Sequence, residues 1–358
     1  RLPRVRVIRQ RNSGKAHALN TGIAHAHHEI IVMMDADTVC ERTTIRELVQ
    51  PFADPTVGAV AGNAKISNRR RIVARWQHIE YVIGFNLDRR MYDLLRCMPT
   101  VPGAVGAFRR AALRRVGGVS DETLAEDTDV TMAIVATGWR VVYQPTARAW
   151  TEAPESLGEL WRQRYRWSYG TLQSLWKHRR PLRGSDGTSR FSRFGLTHVA
   201  LFQVIFPLLA PLIDLFLVYG LIFLDPVDTV AVWGALLLLQ AAVAVYAFRL
   251  EGEPLRDLLL LPLQQIVYRQ LMYLVLIRSV ASSLGGVRLR WQQLQRSGAA
   301  NASRAAEVAA LVPGNREIEG SGATVPVRLD NAKVIEPVEG VPRDDAGPSQ
   351  DCVWGRVT

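Results

Sequence analysis

At 358 residues the chain is long enough for two domains, or for one domain followed by membrane segments. Hydrophobic residues make up 48% of it and the mean hydropathy is +0.03, high for a soluble enzyme, with the apolar runs concentrated between Leu196 and Ser282. The net charge of +11 therefore reads as cytoplasmic flanks and an anionic lipid surface rather than a nucleic-acid footprint.

Three cysteines, Cys40, Cys97 and Cys352, show neither metal-ligand spacing nor a disulfide framework, so a reducing compartment is the default. The chain opens at Arg1 with no initiator Met and no signal peptide, and 5–8 reads as a short strand already inside a domain. An N-terminally incomplete protein is the expectation.

A polar turn over 10–15 leads into a helix predicted over 16–26. Gly14 and Lys15 at its start suit phosphate oxygens, since a helix N-terminus offers free N–H groups and Lys15 adds an ammonium. The glycine spacing of a P-loop and its Ser/Thr after Lys are missing, and a solvated turn is the competing reading. His17, His25, His27 and His28 are too irregularly spaced for a zinc site.

Ile30 to Met34 is an unbroken apolar run, read as a strand buried on both faces in a parallel sheet. Asp35 and Asp37 follow at its C-terminal end, where open α/β sheets place ligands. Two residues apart, they point the same way if the extended conformation persists. Paired hard oxygens suit Mg²⁺ or Mn²⁺ carrying a diphosphate, whereas an Asp/Thr turn or helix cap explains the same residues without a ligand.

A helix over 43–50 closed by Pro51 and a small-sided strand over 57–62 come next. A long amphipathic helix over 70–95 follows, with Ile72, Trp76, Ile79, Ile83 and Leu87 at three- and four-residue steps. In the stretch 102–110, Gly103 and its small neighbours let backbone approach a bulky ligand such as a sugar ring, and a strand with a bulge fits as well.

Glu126, Asp127 and Asp129 form an acidic cluster ahead of 130–137. It serves either as an N-terminal helix cap or as a general base whose pKa is raised by neighbouring carboxylates. A strand over 139–144 and a helix over 157–178 complete the polar part. On that helix Gln163, Arg166 and Trp167 share one face. Arg suits a diphosphate and Trp a sugar ring, while an interfacial helix with Trp at a membrane surface is the alternative.

Beyond a basic linker over 179–193, the run 196–224 is long enough to span a bilayer, interrupted by Pro207, Pro211 and Asp214. The loop 225–228 carries no Lys or Arg and reads as outside; 230–248 is a second span, and 249–257 returns to the cytoplasm. The third apolar run, 258–282, contains Pro262, Gln264, Gln265, Arg269 and Gln270, and is either a span, a re-entrant segment or an interfacial helix. Beyond 297 the composition reads as disordered.

Taken in order, Gly14-Lys15-x-x-Ala18-x-Asn20, Asp35-Ala36-Asp37, Ala125-Glu126-Asp127 and Gln163-Arg164-Tyr165-Arg166-Trp167 resemble the motifs of the membrane-embedded processive synthases of glycosyltransferase family 2. The stretch 268–273 is similar to a late membrane segment of the poly-N-acetylglucosamine subgroup. The resemblance runs from about Val5 to Gly298. It implies an α/β, GT-A (Rossmann-like) domain on the cytoplasmic face over 1–185, incomplete at its N-terminus. A membrane region over 186–285 and a basic flank and tail over 286–358 follow.

The implied reaction is inverting transfer of a sugar, N-acetylglucosamine by subgroup likeness, from a UDP-sugar to a growing β-linked polysaccharide coupled to export. Asp127 is then the catalytic base with Glu126 beside it, and Asp37 with Asp35 holds Mg²⁺ or Mn²⁺. Lys15, Asp35, Gln163, Arg166 and Trp167 bind donor and diphosphate, while Gly103, Phe108 and Trp167 contact the acceptor. A lipid bilayer and a small accessory membrane subunit are the implied partners. The family's first strand, with its uracil-binding Asp, and an N-terminal membrane helix are absent from the sequence. A single-transfer glycolipid enzyme and a catalytically inactive scaffold or translocation component are the competing readings.

Overall fold

The computed structural model describes residues 6–179, 195–285 and 334–335. The sequence readings for most of the basic linker, the basic residues Arg288 and Arg290, and nearly all of the tail with Cys352 lie outside the described residues. Strand β1 (Val7–Ile8) pairs in parallel with β7 (Val334–Ile335) and stands apart from the main sheet.

The main sheet has five strands in the order β2 (Ile30–Met33), β5 (Gly106–Arg109), β4 (Val57–Ile66), β6 (Arg140–Thr151) and β3 (Val39–Cys40). Only β4 and β6 run parallel; the other pairings are antiparallel. Every residue of β4 is buried, and it extends four residues beyond the predicted 57–62.

The expectation for Ile30 to Met34 needs correction. The strand is antiparallel to β5, its one partner among the described residues, and forms that edge of the sheet. Its faces are covered as alternation dictates: Ile31 and Met33 pack on one hydrophobic cluster, Ile30 and Val32 on the other. The open edge leaves the residues half-buried.

Helices cover both faces. On one lie α1 (Lys15–His25), α5 (Arg110–Arg115) and α6 (Glu126–Ala136), whose Ala16, Leu113, Met132 and Ile134 enter the larger cluster. On the other, α2 (Thr44–Val49) contributes Leu48. The predicted helix over 70–95 is split into α3 (Ile72–Glu80) and α4 (Leu87–Leu95) by a π-helical turn, Tyr81–Asn86. The added residue rotates the helix surface. Val73 and Trp76 pack with Leu160 and Tyr268, whereas Tyr92 turns into the main core.

After α7 (Leu157–Lys177), three helices are long and apolar enough to cross a membrane: Val199–Phe223, Pro226–Glu251 and Leu255–Leu284. Asp225 caps the second, accepting from Val227 N–H at 2.8 Å, and Gly252 at φ 68° ends it in the left-handed conformation that lacks a Cβ penalty. Asp214, which lies within the first helix, meets Arg269 and accepts from Gln270 at 2.7 Å.

The third helix packs on the α/β domain. Gln264 Nε2 donates to the carbonyl of Trp76 at 3.1 Å, and Tyr165 of α7 donates to Ser282 Oγ at 2.7 Å.

A buried ionic seam joins the end of the second helix to the sheet. Asn63 donates to Glu251 Oε2 at 2.7 Å, Lys65 lies 2.8 Å from Glu253, and Arg90 lies 2.8 Å from Glu251. Charges this far from water persist only when paired. Each acidic group here meets a cation: Arg69 also reaches Glu253, at 2.9 Å.

Candidate active site

Lys15 is the first residue of α1, and the chain reaches it through Gly14 at φ 96°, a conformation that side-chain-bearing residues rarely adopt. That turn directs the ammonium into a cleft at the end of β2. There Lys15 Nζ lies 2.8 Å from Asp35 Oδ1 and 2.7 Å from Glu126 Oε1. Burial works against the ammonium, but the charges of Glu126, Asp35 and Asp127 outweigh it and hold its pKa above the ordinary lysine value.

The extended conformation does not persist through Asp35 and Asp37. Strand β2 ends at Met33, Ala36 and Asp37 form a turn, and the Thr38 N–H donates to the Asp35 carbonyl at 3.0 Å. The same-side geometry expected from their spacing is therefore replaced by a turn. Asp35 lines the cleft, whereas Asp37 is half-buried outside its lining.

Across the cleft, α6 begins at Glu126, so the acidic residues occupy its first turn, where the helix dipole favours them. Asp127 Oδ1 accepts from the Thr128 N–H at 2.8 Å, and its Oδ2 accepts from the Gly103 N–H at 3.3 Å. Burial, followed by the negative charge of Glu126, raises Asp127 to about 6 against the opposing pull of Lys15.

Gly103 sits where a Cβ would fall 2.9 Å from Lys15 Nζ and 3.4 Å from Asp35 Oδ2, so only glycine leaves this space open. Phe108, expected to face a ligand, lines the cleft from β5 while packing into the main core.

Thr100, Thr128 and Thr131, which support the site, escaped the sequence reading, and so did the partners of Asn20 and Asp129. Thr100 and Thr128 are 2.9 Å apart, and Thr131 Oγ1 accepts from the Val101 N–H at 2.9 Å, latching the Gly103 loop to α6. Asn20 holds both backbone groups of Val119, at 2.8 Å each. Asp129, 1% exposed, is paired with Lys177 at 2.8 Å and His178 at 2.7 Å, which fastens the end of α7 to α6. The second Asp of Glu126-Asp127-Thr128-Asp129, two residues on and turned to another face, was the available signal.

Gln163, Arg166 and Trp167 lie on α7, outside the cleft's lining. Gln163 is buried, and its Oε1 has no hydrogen-bond partner among the described residues. Arg166 and Trp167 are half-buried. Trp167 meets Phe85 edge-on with ring centroids 6.0 Å apart. The structure thus brings Lys15, Asp35, Gly103, Phe108, Glu126 and Asp127 into one cleft and leaves the α7 trio and Asp37 beside it.

A mixed sheet between helices, with a cation and carboxylates at the end of β2, is a GT-A-like α/β arrangement. A mannosyltransferase from Pyrobaculum calidifontis, solved in complex with GDP-Man and Mn²⁺, is similar in fold, with a TM-score of 0.52 and 24% identity over 77% of this chain and 68% of that one. The chain belongs to the glycosyl transferase family group 2, whose model matches residues 30–279.

Among curated relatives, a poly-beta-1,6-N-acetyl-D-glucosamine synthase of Staphylococcus aureus (strain COL) is 34% identical over 201 residues, 56% of this chain and 47% of the relative. The protein of the same name from Staphylococcus epidermidis is 35% identical over 165 residues, 46% of this chain and 40% of the relative. The chain spans about half the length of the curated relatives it matches.

Proposed function

We propose that the chain is the catalytic and membrane part of a synthase that transfers N-acetylglucosamine, with inversion, from a UDP-sugar to a growing β-linked polysaccharide and passes the product across the membrane. The observation that carries this reading is the single cleft in which Lys15 stands between Asp35 and Glu126, with the buried Asp127 beside the Gly103 N–H. The relatives' names supply the sugar, and the three apolar helices supply the coupling to a bilayer.

The residues fit a hard divalent cation. Asp35 and Glu126 already hold a positive nitrogen at contact distance, and Mg²⁺ takes one or two protein carboxylates together with substrate phosphates. Asp35 in the cleft, with Asp37 from the turn beside it, would hold Mg²⁺ or Mn²⁺, a cation that would supply charge to stabilise the diphosphate leaving group.

Lys15, at a helix N-terminus, offers its ammonium to the same diphosphate, and Arg166 adds a guanidinium. Asp127, ionised above about 6, accepts the proton of an acceptor hydroxyl. The oxygen freed in this way bonds to the anomeric carbon as the bond to UDP breaks on the opposite face. Glu126 keeps the Asp127 pKa up, and Trp167 stacks on the acceptor sugar. The domain lies on the cytoplasmic side, fastened to the membrane helices through Glu251 and Glu253; a small membrane subunit completes the proposed assembly.

Membranes holding the full-length protein, supplied with a panel of radiolabelled UDP-sugars, should yield a long polymer from UDP-N-acetylglucosamine. Asp127→Asn should abolish transfer while leaving UDP binding by calorimetry nearly intact. Transfer at the wild-type rate in that variant would remove Asp127 as the base.

A further inference from the structure

Glu80, the last residue of α3, gathers two other elements at one oxygen. Its Oε2 accepts from Arg164 of α7 at 2.5 Å and from the Tyr268 hydroxyl of the third apolar helix at 2.5 Å. The Arg164 side chain is 6% exposed, so its guanidinium is held rather than solvated. The same guanidinium lies over the Trp167 ring, 4.5 Å from its centroid, and over Phe85 at 5.4 Å. Phe85 belongs to the π-helical turn that starts directly after Glu80, and it also meets Tyr81 at 4.8 Å.

The contacts form one chain of support. A guanidinium is planar, and its stacking on an indole fixes the tilt of that indole only while the guanidinium plane is itself fixed. Glu80 anchors that plane at Nη2 of Arg164, and Tyr268 holds the same carboxylate oxygen of Glu80 in place. Trp76 closes the arrangement edge-on against Tyr268, with ring centroids 6.1 Å apart. None of Trp76, Glu80, Phe85, Arg164, Trp167 and Tyr268 lines the cleft that holds Asp127.

We propose that Tyr268 and Glu80 are positioning residues for the indole of Trp167, acting through Arg164, so that the third apolar helix sets the orientation of that ring. With Trp167 as an acceptor contact, a reading taken from the function proposed above, the membrane helix tunes how the growing chain is held between transfers. In the function proposed above Trp167 serves the acceptor sugar alone, while Lys15 and Arg166 serve the diphosphate, so a tilted ring weakens stacking on the acceptor. The effect therefore falls on the acceptor, and donor binding is unmoved.

The test uses the full-length protein in lipid nanodiscs, labelled with 5-fluorotryptophan, with Trp167→Phe identifying the Trp167 resonance. In Tyr268→Phe, which removes one hydroxyl and keeps the ring, the Trp167 resonance should shift. The KM for a β-linked N-acetylglucosamine oligosaccharide acceptor should rise roughly threefold to tenfold, the scale of one aromatic contact. The donor KM should stay at its wild-type value and the mean product length should fall. Arg164→Lys, which keeps the charge and loses the plane, should reproduce the pattern if Glu80→Gln proves too unstable to purify.

A purely structural ion pair would lower the thermal midpoint and leave the resonance and the acceptor KM where they were; that result overturns the proposal. A shifted resonance with an unchanged acceptor KM also overturns it if Trp167→Phe does raise that KM. If Trp167→Phe itself leaves the acceptor KM unchanged, the acceptor reading falls, and a shifted resonance in Tyr268→Phe still supports the positioning.

Discussion

The backbone N–H of Gly103 donates to the carboxylate of Asp127 at 3.3 Å, while the space where a Gly103 side chain would stand is taken by Lys15 Nζ. One glycine thus touches both the proposed base and the cation of the cleft. Its φ lies outside the left-handed range, so an alanine is tolerated by the backbone. Gly103→Ala should therefore fold with a nearly unchanged thermal midpoint, because the atom it meets is the far end of a flexible side chain. Lys15 must move away from Asp35, and sugar transfer should fall at least about tenfold, the loss typical of one displaced electrostatic contact. A melting curve and a transfer assay on the same preparation check both halves.

The charges around Asp127 give a pH prediction with two signs. As a base it works ionised, so kcat/KM should rise with pH through about 6 and level off above it. Lys15 opposes the upward shift of Asp127, whereas Glu126 adds to it. Lys15→Met should move the acid limb to higher pH, and Glu126→Gln should move it to lower pH. Profiles that move in the same direction in both variants would contradict this electrostatic arrangement.

What was legible in the chain was local. The acidic pair after Met33, the first turn of α6 and the face of α7 are periodicities and short spacings; α7 formed at nearly its expected bounds, whereas β4 and β6 ran four and seven residues past theirs. Direction and long-range contact were not legible. The alternation of Ile30 to Met33 states that both faces are covered, but not that β5, from residues 106–109, pairs with it antiparallel. The turn at Ala36 and Asp37 depended on a hydrogen bond that no spacing rule encodes. Glu80, Thr131 and Asp129 work through partners dozens of residues away, and a side chain read alone does not name its partner.

The seam beneath the second apolar helix should fail in acid. Burial pushes the Glu253 carboxyl up, but hydrogen bonds from Arg69 and Lys65 and their charges win and hold it down to about 2. Its folded pKa lies below its unfolded one, so its stabilisation is complete above the ordinary glutamate value near 4.5 and drains away as pH falls from there toward 2. That amounts to on the order of 3 kcal/mol. Glu253→Gln should lower the melting midpoint at pH 7 and flatten its dependence on pH below 5. Melting curves of purified protein at stepped pH report both effects.

The three apolar helices differ in what they touch, and the difference predicts topology. Gln264 binds the carbonyl of Trp76, and Ser282 binds Tyr165, so the third helix lies against the α/β domain at both of these points, 18 residues apart. A helix leaving that domain at Gln264 to cross a bilayer would carry Ser282 about 27 Å away from it, at 1.5 Å of rise per residue. Instead it runs along α7, with Leu259 and Ile266 on its open side, exposed by 82% and 66%. Single cysteines placed in a background lacking Cys40, Cys97 and Cys352 test this in sealed vesicles. Val227→Cys, in the first turn of the second helix, should react with an impermeant maleimide from the outer side alone. Arg256→Cys and Leu284→Cys, at the two ends of the third helix, should both react from the side of the catalytic domain alone. Labelling of Leu284→Cys from the outer side would make the third helix a true span and would part it from α7.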